Sequence, residues 1–178
     1  MVFSMRLSFF TFGILRGPWG DPKVQGFLDR VPDNFDTAEG ADGFVDRSRP
    51  AREGDADRWG EQEVPKFAEG REDCAAQTLS VWEDVESVFS FAYQGVHSEA
   101  LRRARQWTEE GDYSSHTAWW IDEDHWPTWS EACERHLHLC EIGVTSHAFT
   151  LREAFDSEGE RTKPDAAKIN EHHSNSRR

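Results

Sequence analysis

An α+β fold follows from three patterns in this 178-residue sequence. Residues 78–82 alternate as a half-buried strand, a helical stripe follows at once, and residues 115–122 return as a second strand. An earlier strand at 7–15 also leads into a helix, and 43–48 reads as a short strand between the two units. The resulting order is βαββαβ, with one further helix behind it.

The first strand alternates Leu7, Phe9, Thr11 and Gly13 against Ser8, Phe10, Phe12 and Ile14, so both of its faces are apolar enough to be buried. After the turn at Gly17, Pro18 and Gly20, Asp21 is an N-cap and Pro22 occupies the first helical position. Val24, Phe27, Leu28 and Val31 form the inner stripe of this helix, which Pro32 interrupts.

The stretch 50–73 is charged and rich in Gly and Pro. It reads as a mobile acidic insertion, either a solvated loop or a lid over a pocket mouth, with Trp59, Val64 and Phe67 as its anchors. In the long second helix Val85, Val88, Phe89, Ala92 and Val96 recur at helical spacing. Tyr93, His97, Ala100, Leu101 and Ala104 continue the stripe, and Gly95 marks a break.

In the fourth strand Thr117, Trp119 and Ile121 point one way and His116, Ala118 and Trp120 the other, so only one of Trp119 and Trp120 faces inward. Thr128 and Glu131 make a capping box for a helix ending at Gly143. Residues 147–152 read as a last edge strand. The domain is expected over 1–156, and the polar stretch 157–178 as a disordered tail.

This order is that of a ferredoxin-like layout, with helices on one face of an antiparallel sheet. The opposite face is assigned Phe9, Thr11, Thr78, Ser80, Trp82 and one of the Trp119/Trp120 pair. That mixture is too apolar to leave wet and too polar for a dry core, so it needs a cover.

Composition narrows the function classes. The formal charge of −14 disfavours nucleic acid and anionic membrane surfaces, which attract Lys and Arg clusters. Three cysteines without dense spacing indicate no disulfide framework, and the expected location is cytoplasmic. The opening apolar run lacks a small-residue cleavage site, and no stretch approaches the ~20 apolar residues of a membrane span.

The segments LRGPWGDPKVQGFLDRV, TLSVWEDVESVFSFAYQGVHSEALRRARQW, TAWWID and WPTWSEACERHLHLCEIG, in that order, resemble a widespread family known only as a domain of unknown function. That family is grouped with the dimeric α+β barrel proteins, and the likeness covers about 6–152. It implies that the mixed sheet face packs against its twin in a homodimer and closes a barrel around an internal cavity. The wider superfamily spans cofactor-independent monooxygenases, haem-degrading enzymes, cyclases, lyases and stress-response proteins, so the fold does not select a reaction.

The expected function is binding of a small apolar or aromatic molecule, either with cofactor-independent turnover or as a non-catalytic binding or stress-response dimer. His97 and Tyr93 are the catalytic candidates: a neutral imidazole can serve as acid, base or ligand near neutral pH, and Tyr93, one turn away, orients a polar group. Haem-degrading relatives place an iron-ligating histidine in a comparable helix, which makes haem through His97 the alternative. Otherwise no cofactor is expected.

Thr11, Thr78, Ser80, Trp82, Trp119 and Trp120 are the ligand-binding candidates; Thr11 stands where the family commonly carries Asn and retains only a hydroxyl. Cys133, His136 and Cys140 share one helical face at a spacing that suits buried packing better than metal, and no metal site is assigned. No phosphate-binding loop, dinucleotide fingerprint, nucleophile elbow or zinc-protease motif occurs.

Overall fold

The computed structural model describes residues 4–49, 58–93 and 103–176. Its centre is a four-stranded antiparallel sheet of β1 (Met5–Ile14), β2 (Phe44–Arg47), β3 (Ala75–Trp82) and β4 (His116–Asp122) in the spatial order β2-β3-β1-β4. Each crossover skips one strand, an arrangement compatible with the ferredoxin-like layout. Between β1 and β2 lie a short 3₁₀ turn at Pro22–Val24, α1 (Gln25–Leu28) and α2 (Val31–Glu39); α3 (Val85–Tyr93) follows β3. Asp21 caps the turn by accepting the Lys23 N–H, as its place before proline predicts.

Helix α4 (Trp129–Ile142) follows β4. Thr128 accepts the Glu131 N–H at 3.2 Å, and the helix stops at Gly143, whose φ of 96° suits glycine. A two-stranded ribbon, β5 (Ala154–Phe155) with β6 (Arg161–Thr162), and α5 (Ala166–Asn175) complete the chain.

Strand register assigns the two sheet faces. Leu7, Phe9, Trp82, Ala118 and Trp120 lie on the face packed by Ala38 of α2, by Val85, Val88 and Ala92 of α3, and by Phe149, Leu151 and Phe155. Phe10, Phe12, Ile14, Leu79, Val81, Trp119 and Ile121 lie on the other, packed by Trp129 and Ala132 of α4 and by Trp59, Ala68 and Cys74.

This corrects the face assignment made from sequence. Phe9, Thr11, Thr78, Ser80 and Trp82 belong to the face under α2 and α3. The opposite face is covered by the chain's own α4 and 58–75 segment.

Three further expectations change. Residues 50–57 lie outside the described residues, but 58–73 is a packed cover: Trp59 is 5% exposed and Ala68 fully buried. The three named anchors hold it, since Trp59 and Val64 join the core and Phe67 stacks on Tyr113. Charge content concealed these few large contacts.

Residues 147–152 form no continuous edge strand: Ala148, Phe149 and Thr150 each make an isolated antiparallel bridge, to Thr145, Ala118 and Glu153, and the one from Phe149 meets β4. The polar end is ordered through 176. Asp165 caps α5, Ile169 is buried, and His172 sits between Asp42 (2.8 Å) and Asp84 (3.4 Å), so polar contacts dock a helix that hydrophobicity alone does not announce.

Candidate functional site

Read across the sheet, the face under α2 and α3 is a series of rows set by register. The first is Trp82, Leu7 and Trp120; the second is Ser80, Phe9 and Ala118; the third is Thr78, Thr11 and His116; beyond it stand only Ala76 and Gly13. Leu7, Phe9, Ser80, Trp82 and Ala118 are buried, whereas every member of the third row is partly exposed. The floor therefore steps from large rings to small polar side chains. Among the described residues a Cβ at Gly13 would meet Thr108 alone within 4 Å, at 3.5 Å.

Thr11 and Thr78 bring their hydroxyls to 2.6 Å. Two hydroxyls hold two protons and several lone pairs, and this contact uses one of each. The second proton and the remaining lone pairs have no partner among the described residues. The pair is thus a small hydrogen-bonding platform at a place where a sheet normally carries packing side chains.

His116 closes the row on the β4 side. Its Nε2 accepts the Leu151 N–H at 3.2 Å, and a backbone N–H can only donate, so the proton of the neutral ring is on Nδ1, which faces the Ser115 hydroxyl at 3.2 Å. Burial, and secondarily the charge of Arg152, holds the imidazole down to about pKa 4. The ring is neutral at physiological pH and packs against Phe9 with centroids 5.6 Å apart. With Nε2 engaged, it acts as a fixed dipole and not as a free base.

Tyr93, the last described residue of α3, lies against Phe89 at 4.6 Å between centroids, and the Arg152 guanidinium stands 5.8 Å over its ring. Leu151 and Arg152 thereby link Tyr93 to His116. His97, the other catalytic candidate, lies outside the described residues, as does the haem ligation attached to it.

The remaining candidates divide. Ser80 donates to the Phe9 carbonyl at 3.2 Å and accepts the Trp82 indole N–H at 2.9 Å, so both side chains are engaged in the core beside the row. Trp119 and Trp120 face opposite ways, as alternation requires. Trp119 is fully buried on the far face with its N–H on Glu131, and Trp120 is half-buried on the site face with its N–H on the Phe155 carbonyl.

On the far face His136 is fully buried, 2.7 Å from the Thr117 hydroxyl and 3.9 Å from the Cys140 sulfur. Burial, then the nearby His116, lowers it to about pKa 4, and burial pushes Cys133 up to about 12. Neutral thiols against a core histidine are packing chemistry. No group of three or more ligating side chains among the described residues could hold a metal ion.

Sequence reasoning overlooked His116 and Arg152. The signal for the first was available: His116 has the same parity as Ala118 and Trp120, and pairing β4 with β1 puts it opposite Thr11. The second depends on the turn at 150–153, which carries no periodic pattern.

The family model for a domain of unknown function (DUF3291) matches residues 6–166, and the chain belongs to that family. No curated protein and no solved structure matches the chain. No helix among the described residues is long and apolar enough to cross a membrane.

Proposed function

We propose that this protein binds a small organic molecule with an apolar or aromatic body on the Thr78–Thr11–His116 row, and that it acts there as a binding protein. The observation that carries this reading is the hydroxyl pair: two threonine oxygens 2.6 Å apart, partly exposed, with hydrogen-bonding capacity unspent among the described residues, next to the apolar floor of Leu7, Phe9 and Trp82. The half-buried Tyr93 supplies ring surface, and the buried Phe9 ring backs the row through its contact with His116. Binding is favoured over acid–base turnover because the described imidazole of the row has its acceptor nitrogen committed to Leu151. The far face of the sheet is covered from within the chain, so this reading places the ligand in one chain and does not call for a shared barrel.

A screen of ring-containing fragments followed by amide chemical-shift mapping tests it. Shifts are expected to cluster on Thr11, Thr78, His116 and Leu151. Shifts confined to other surfaces, or none across the screen, would overturn the assignment.

A further inference from the structure

We infer that the ligand is an anion, a small molecule that joins its apolar body to a carboxylate, with Arg152 as the residue that selects the charge. The inference rests on the binding reading above and adds the chemical class of what is bound.

The first ground is electrostatic contrast. With 34 acidic against 20 basic residues the chain as a whole repels anions. Yet none of the side chains placed on the row or tied to it, Thr11, Thr78, His116, Phe9, Tyr93, Leu151 and Arg152, is a carboxylate. The acidic groups on the following turn are occupied: Glu153 faces Arg161 at 3.7 Å, and the Asp156 carboxylate accepts the N–H groups of Glu158 and Glu160.

The second ground is the state of Arg152 itself. Arg6, Arg47, Arg49, Arg58, Arg71, Arg135 and Arg161 each stand on a carboxylate, Arg16 and Arg30 spend N–H groups on backbone carbonyls, and Arg105, like Arg152, has no carboxylate partner among the described residues. Arg152 is exposed and pairs with no carboxylate among the described residues; its guanidinium lies over the Tyr93 ring instead. An aromatic face restrains a guanidinium while leaving its N–H edge available, and that edge matches a carboxylate with two parallel hydrogen bonds.

The third ground is position. The Leu151 N–H is tied to His116, so the residue bearing this cation is anchored next to the hydroxyl row. His116 is neutral and contributes no competing charge. The arrangement therefore offers an anion one charged partner, ring surface for its body, and a hydroxyl platform for a second polar atom.

The test uses the full chain and matched probes: benzoate, phenylacetate and 3-phenylpropionate, each beside its neutral carboxamide, titrated to about 10 mM with ligand-observed and amide chemical-shift NMR, a range that reaches millimolar affinity. At least one acid is expected to bind about tenfold or more tightly than its amide. Arg152→Gln, an exposed position whose fold is checked by thermal melting, should abolish the acid's advantage over its amide. Thr78→Val should weaken both members of the pair.

Equal affinity of acid and amide, or an Arg152→Gln variant that binds the acid like the parent chain, overturns the anion assignment. In that case weakening of both probes by Thr78→Val still upholds the site. Failure of every acid and amide to bind overturns both.

Discussion

Replacing the paired threonines one at a time and together separates a bond kept for stability from one kept for recognition. Thr→Val preserves the β-branched shape and strand preference and deletes only the hydroxyl. A hydroxyl–hydroxyl bond contributes about 1 kcal/mol net, and a deserted buried partner costs about 1–3 kcal/mol. Both threonines are partly exposed, so water replaces part of the lost bond and each single variant should cost about 1 kcal/mol. In the double variant no hydroxyl is left without its partner, and two valines face each other across the β1–β3 register.

The double cost should therefore not exceed either single cost, a coupling of about 1 kcal/mol. Urea denaturation of the four proteins measures this, with the slope against urea held constant as the check that unfolding exposes the same surface. Additive losses, with the double near 2 kcal/mol, would show that the two hydroxyls act through separate partners and would remove the platform from the site. All three variants should also lose affinity for any fragment that shifts the Thr11 amide in the parent.

Acid should destabilise the fold before the carboxylates titrate. His116 and His136 are each held at about pKa 4 against an ordinary 6.5, so the unfolded chain binds the extra protons between those values, and the stability is complete above about pH 6.5 and falls as pH drops toward 4. Each difference corresponds to roughly 3 kcal/mol, read by urea melts at half-unit pH steps; stability that stays level down to pH 4.5 would contradict the two neutral imidazoles. Trp59→Ala should cost about 3–5 kcal/mol by opening the core under α4, and a loss below about 1 kcal/mol would return 58–73 to the status of a loose insertion.

The order of strands and helices along the chain, the α4 capping box and its glycine stop were all legible because each rests on local chemistry: period-two alternation, a hydroxyl at an N-terminus, a positive φ. Cover was not legible. Whether a sheet face meets a second chain or a distant part of its own depends on a few long-range contacts, and in a charged segment one Trp and one Ala suffice to make them. The ordered end escaped notice for the same reason, since α5 is docked by His172 between two aspartates with only Ile169 buried. Thr11 and Thr78 were separately identifiable as inward polar residues, but their contact needed the antiparallel register, and His116 joined them only when β4 was paired on the other side of β1.

That register makes the row a choice with a physical consequence. Valine or isoleucine at positions 11 and 78 would satisfy strand preference equally well and would extend the apolar floor laid by Leu7, Phe9 and Trp82. Threonine gives up that apolar area and gains directional bonding at one spot, partly open to solvent, beside a histidine whose tautomer is fixed by a backbone N–H. Core packing gains nothing from hydroxyls left short of partners, because each exposes or buries polar capacity without return. A ligand with one polar end changes that balance: it completes the hydroxyl bonds, covers the half-buried Tyr93 ring, and, if its polar end is a carboxylate, meets the Arg152 guanidinium, which pairs with no carboxylate among the described residues.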